Sequence, residues 1–181
     1  MARNVLIIGE VRDGTITRET LEATAAAGQI AGGGAVSGML IGEFAHCTAE
    51  DWMLYGVDPI VTLDNGTENP DRFIGAVLPV VMRENPDLVI AGHAALGEEL
   101  PVRLAEILDL PLVAEVIGLT RYQGSLILHQ EENWHTLYGE EEEKLIATIR
   151  PGRFRVPVQD RSDPGLIKPA GAKDMKIHQP V

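Results

Sequence analysis

Hydrophobic positions in this chain form short unbroken runs separated by stretches of helical spacing, the alternation expected of strands and helices in turn. Val5-Leu6-Ile7-Ile8 is the first apolar run and ends at Gly9-Glu10. Val11 to Gly14 reads as a turn, and Thr17 suits the N-cap of a helix running to about Ala27. Small residues on that helix (Ala23, Ala25, Ala26 and Ala27) allow close packing on a sheet, with Gly28 and Gly32-Gly33-Gly34 expected to end it. Val36 to Ile41 is a second strand. Thr48-Ala49-Glu50-Asp51 resembles an N-cap with an acidic first turn, opening a short helix to Tyr55-Gly56. Pro59 to Leu63 is a third strand, and Asn69-Pro70 starts a helix to Glu84 that Pro79 should kink.

The segment from Pro86 to Pro111 organises the rest. Leu88-Val89-Ile90-Ala91 is continuously apolar, as a strand buried on both faces of a parallel sheet must be. Gly92 ends it, small residues follow to Gly97, and helical spacing resumes from Glu98, with Pro101 tolerated in the first turn. Strand, glycine-bearing turn and helix N-terminus together make a crevice that can hold an anion or nucleotide. Gly92, His93, Gly97 and Arg103 are the candidate pocket residues, with Glu10 at the neighbouring strand end. The alternative is that the glycines only permit a tight turn, because the Lys-Ser/Thr of a phosphate loop is missing. His93 then becomes a polar loop residue, and Arg103 a structural partner for Glu99 or Glu106.

Beyond Leu110 the rhythm changes. Pro111 to Leu119 reads as one strand, Tyr122 to Ser125 as a turn, Leu126 to His129 as a returning strand and Leu145 to Ile149 as a further one. The expected fold is therefore α/β: a three-layer, doubly wound, mainly parallel sheet of Rossmann-like type with an antiparallel edge. Between these strands lies Gln130 to Lys144, whose carboxylate run Glu140 to Glu143 reads as a solvated loop. One domain is expected over 1–158. Residues 159–181, broken by Pro164, Pro169 and Pro180, form either a flexible tail or an arm across a partner, anchored by Leu166, Ile167, Met175 and Ile177.

Composition narrows the function. A chain of 181 residues, 45% hydrophobic, suffices for one packed domain, and 4% aromatic content makes its core aliphatic. A net charge of −12 argues against nucleic acid as partner. Cys47 is the single cysteine, so no internal disulfide forms, and the five histidines lack metal-ligand spacing. Beside His46, Cys47 is either an activated thiol or a small buried residue. Trp52 and Trp134 suit a core or an interface. With no apolar run of membrane-spanning length, the expected location is the cytoplasm.

Several segments, taken in order, resemble the N-terminal domain of the electron transfer flavoprotein α subunit. Val5 to Gly14 is similar to that family's opening strand and turn, and Tyr55-Gly56-Val57-Asp58 to its YGAD. Pro86 to Arg103 is similar to its PDLVL-x-G-x-T-x-x-G-R-D-L-A-P-R, Leu110 to Val116 to the segment that follows, and Thr148 to Phe154 to its TVRPGxF. Gly97-Glu98-Glu99 departs from the family's GRD by placing an acid where a base stands, and Pro101-Val102-Arg103 interposes one residue in its PR. Nothing resembles the family's SGxRG and QTGK segments, which hold FAD in its second domain.

The resemblance implies an adenine-nucleotide-hydrolase-like fold serving as scaffold and subunit interface in electron transfer, without catalysis by this chain alone. FAD, with AMP as an optional second ligand, would belong to the assembled complex, because this chain, if it is the whole polypeptide, cannot grip FAD in the family's way alone. The expected partner is an electron transfer flavoprotein β-like or flavin-domain chain, or a second copy of this one. The competing expectation is a free-standing binder of an adenine nucleotide, or a minor hydrolase, using the pocket above.

Overall fold

The computed structural model describes residues 2–64, 70–92, 99–123, 125–137 and 144–159. Six strands form the parallel sheet: β1 (Val5–Arg12), β3 (Val36–Ile41), β4 (Ile60–Leu63), β5 (Leu88–Gly92), β6 (Leu112–Val116) and β10 (Leu145–Ile149). Their order is β4-β3-β1-β5-β10-β6. The short β2 (Thr15–Ile16) folds back on β1, pairing Val11 with Ile16 and Arg12 with Thr15. Asp13 and Gly14, both at positive φ, make the two-residue hairpin turn. The first strand is thus longer than its apolar run suggested.

Helices α1 (Arg18–Ala31), α2 (Ala45–Met53), α3 (Pro70–Glu84) and α4 (Glu99–Leu108) supply the two outer layers. Alternate strand residues face different cores. Val5, Ile7, Leu40, Leu88 and Ile90 pack with α1 and α2, whereas Leu6, Ile8, Met39, Ile41 and Val89 pack with α3 and α4. This is the three-layer, doubly wound arrangement. Ala23, Ala26 and Ala27 are fully buried, as close approach of α1 to the sheet requires, and Ala25 is partly covered.

Three further strands, β7 (Gly118–Tyr122), β8 (Ser125–His129) and β9 (Trp134–Leu137), form a separate antiparallel sheet in the order β7-β8-β9. Leu126 and Leu128 seat it on the α1 side of the core. The antiparallel strands therefore stand as a small sheet of their own.

Several local expectations are corrected. Helix α1 runs through Gly28 and ends at Gly32, which takes the left-handed conformation that closes a helix. Thr48 is not an N-cap: α2 starts at Ala45 after a left-handed Phe44. Thr48 is buried inside the helix, its hydroxyl donating back to the Ala45 carbonyl at 3.2 Å. Pro111 to Leu119 is two strands, since β6 ends at Val116. The segment after Gln130, where the apolar pattern marks no strand, contains β9, reached by a turn closed by Gln130 N–H donating to the Asn133 carbonyl at 2.8 Å. The glutamate run 140–143, and 160–181, lie outside the described residues.

Candidate functional site

The strand order reverses between β1 and β5. From β1 the chain steps outward to β3 and β4 through α1 and α2, then returns through α3 on the opposite face to β5. Ligands of open α/β sheets bind outside the strand C-termini at such a point. Here those termini carry Glu10 and Gly92, with the start of α1 above them.

The start of α1 is already well satisfied. Thr17 Oγ1 caps Thr20 N–H at 3.3 Å, and the Glu10 N–H donates to Thr20 Oγ1 at 2.8 Å. A Cβ on Gly92 would sit 2.9 Å from Glu19 Cβ, so the glycine is needed for α1 to approach β5. Glu10 lies 16% exposed, with Oε1 3.1 Å from Arg12 Nη2. That contact holds the Arg12 guanidinium above its ordinary pKa. The other Glu10 oxygen, Oε2, is buried and has no hydrogen-bond partner among the described residues.

Glu10 and Glu19 give this mouth acidic walls, and Arg12 is engaged by Glu10. Among the described residues of this mouth, Glu10, Arg12 and Glu19 offer no uncommitted cation to the pyrophosphate of a dinucleotide such as FAD. A carboxylate oxygen suits a hydroxyl or amino donor instead.

Two of the four predicted pocket residues are described, and they face different elements. Gly92 meets α1, whereas Arg103 lines a shallow groove of about 500 Å³ with Ile74, Glu106 and Ile107, on the face built by α3 and α4. Arg103 also pairs with Glu99 at 3.6 Å across one helical turn, the structural role weighed for it. His93 and Gly97 lie outside the described residues.

A second cluster stands at the outer strand ends. Cys47 is exposed, not buried. Its Sγ lies 3.1 Å from His46 Nε2, and His46 Nδ1 is hydrogen-bonded to Asp64 Oδ2 just past β4. Asp64 also accepts the His46 N–H at 3.2 Å. Cys47 beside His46 was visible in the sequence. Asp64, seventeen residues beyond Cys47, carried no local signal.

Elsewhere, side chains tie the small sheet and the Pro-Gly turn to the core. Arg121 of β7 donates to the Ile30 carbonyl and, at 3.1 Å, to that of Gln29, closing the C-terminus of α1. Glu22, 1% exposed in α1, accepts the Gly152 N–H at 2.6 Å and pairs with Arg18 Nε at 2.9 Å. Arg150 pairs with Glu131 at 2.6 Å, which lowers the glutamate's pKa and raises the arginine's. Trp52 is a core residue, whereas Trp134 is 72% exposed.

This doubly wound α/β module, with its mainly parallel sheet and small antiparallel one, matches the electron transfer flavoprotein domain over residues 5–177. The chain belongs to the electron transfer flavoprotein family and is an α-subunit-like module of it. It is 33% identical over 179 residues to the electron transfer flavoprotein subunit alpha of Bacillus subtilis strain 168, covering 93% of this chain and 54% of that protein. It is 22% identical to the subunit alpha of Thermoanaerobacterium thermosaccharolyticum, covering 91% of this chain and 53% of that protein. For the subunit alpha of Clostridium acetobutylicum the identity is 24%, covering 87% of this chain and 51% of that protein. The chain thus spans about half the length of the relatives it matches. Among the described residues, no helix is long and apolar enough to cross a membrane.

Proposed function

We infer that this module is a structural and docking component of an electron transfer flavoprotein-like assembly, with FAD carried by another chain or domain. The match to that family over residues 5–177 carries the reading. The acidic mouth at Glu10 and Glu19 supports it, since flavin chemistry then belongs to a cofactor gripped elsewhere. The partner is an electron transfer flavoprotein β-like or flavin-domain chain, with a homo-oligomer as the other arrangement. The exposed Trp134 on the small sheet is an aromatic anchor of the kind such interfaces use. Residues 1–158 form the folded unit of this reading. The assembly works in the cytoplasm, in keeping with a single cysteine and no disulfide.

Co-purification with a β-like chain followed by size exclusion tests this. Co-elution at a constant ratio is expected, and a stable monomer that ignores every such chain overturns it.

A second reading rests on the buried Glu10 Oε2, which has no hydrogen-bond partner among the described residues. An adenine nucleotide seated beside Gly92 at the strand C-termini would present ribose hydroxyls or an amino group to that oxygen. Calorimetry with AMP, ADP and ATP separates the readings. Heat that Glu10→Ala abolishes favours the second, and no heat removes it.

A further inference from the structure

We propose that Cys47, His46 and Asp64 form a thiol-exchange site at which Cys47 takes up a low-molecular-weight disulfide.

The three side chains come from two elements and stand in series. Cys47 Sγ is 3.1 Å from His46 Nε2, the opposite ring nitrogen is bonded to Asp64 Oδ2, and Asp64 Oδ1 accepts the His46 N–H at 3.2 Å. Nucleophile, base and orienting carboxylate in this order are the arrangement that activates a thiol. The bond from Asp64 leaves Nε2 as the nitrogen that accepts the thiol proton. The cluster is open to solvent: Cys47 is exposed, and the His46 and Asp64 side chains are 51% and 40% exposed. Among the described residues no group of side chains is arranged to hold a metal ion, so the thiol is available to other chemistry.

The neighbouring backbone selects the reaction. Acyl transfer needs free N–H groups to stabilise an oxyanion. The N–H groups of this turn are already committed: Ala45 to the Gly42 carbonyl at 3.3 Å, His46 to Asp64, and Cys47 and Thr48 to the Phe44 carbonyl at 2.9 and 3.2 Å. Thiol–disulfide exchange develops its charge on sulfur and needs no such hole. As the Cys47 sulfur attacks, its proton passes to His46 Nε2, the reagent's S–S bond breaks, and a Cys47–S–S–R bond forms. The departing thiolate takes the proton from His46. Cys47 is oxidised, and one half of the reagent is reduced to a thiol.

The neighbours also select the reagent. Glu50 and Asp51, exposed and one helical turn beyond Cys47, present negative charge to an incoming molecule. Neutral or cationic disulfides are therefore preferred over anionic ones.

Because Cys47 is the only cysteine, uptake by the full chain reports on this site alone. The test measures the rate of mixed-disulfide formation by mass spectrometry with 2-hydroxyethyl disulfide (neutral), cystamine (cationic) and glutathione disulfide (anionic). One adduct per chain is expected, absent in Cys47→Ser, with the anionic reagent slowest. His46→Ala lowers the rate at least about tenfold, and added imidazole restores part of it, as loss of a general base requires. Asp64→Asn lowers the rate less and leaves imidazole without effect, since the ring is still present. A His46→Ala rate equal to that of the unaltered chain, or no recovery with imidazole, overturns the proposal. Faster thioester formation with p-nitrophenyl acetate than disulfide uptake would reassign the site to acyl transfer.

Discussion

The indole N–H of Trp52 donates to the hydroxyl of Thr24 at 2.9 Å, joining α2 to α1 beneath the surface of the first core. Both residues are buried, and the Thr24 hydroxyl in turn donates to the Thr20 carbonyl at 2.8 Å. The indole lies over β3 only because residue 38 is glycine: a Cβ there would come 2.5 Å from the ring. One large ring on one small strand residue thus sets how close two helices and the sheet approach. Thr24→Val leaves the indole N–H buried without its acceptor and should cost about 1–3 kcal/mol. Gly38→Ala should cost at least as much through overpacking. Urea denaturation checks both, and a midpoint unchanged in either variant contradicts the account.

The buried Glu22 holds the chain where it leaves the sheet. Its carboxylate accepts the Gly152 N–H at 2.6 Å, across most of the sequence. Glu22→Ala removes a charge-assisted acceptor and should destabilise by about 1.5–3 kcal/mol. Hydrogen exchange at the Gly152 amide should speed up more than the change in global stability predicts, because local protection is lost as well.

Arg121 bonds the last carbonyls of α1 through a planar guanidinium lying against Gly32. Arg121→Ala should cost about 1 kcal/mol. Arg121→Lys should recover little of it, because an ammonium cannot span two carbonyls in the same fork geometry. Thermal melts of the two variants test the distinction.

Glu131 titrates below its ordinary range because Arg150 donates to it and supplies positive charge. A carboxylate whose folded pKa is depressed adds stability above its unfolded pKa and loses it as pH falls through the folded value. Glu131→Gln should therefore melt below the unaltered chain at neutral pH, with the difference vanishing in acid below the usual glutamate range. The pair is exposed, so added salt should shrink the gap at neutral pH.

Much of this fold is legible in local pattern. Val36–Ile41 and Leu145–Ile149 are strands as their apolar runs indicate, and Thr17 does cap α1. Long-range relations left no such mark. Leu145–Ile149 looks like one more strand after a turn, yet β10 inserts between β5 and β6, because strand order depends on burial on both faces rather than on sequence neighbours. Thr48 imitates a cap because threonine satisfies backbone groups equally well by bonding back within a helix. Trp134–Leu137 hides as a strand because Glu131 and Glu132 before it read as loop, although they only form its turn. Gly92 was legible as the end of its strand, and Glu10 as lying near the end of its own. Asp64 was not, since the tertiary fold alone brings it to His46.

The central claim is that this module shapes and docks an assembly while the flavin is gripped outside it. The visible absorption spectrum of the chain, purified alone and then with a β-like partner, tests this most directly. The account predicts no flavin band from the chain alone and a stoichiometric FAD band only when the complete assembly is present. Tightly held, stoichiometric FAD on the isolated chain would contradict it.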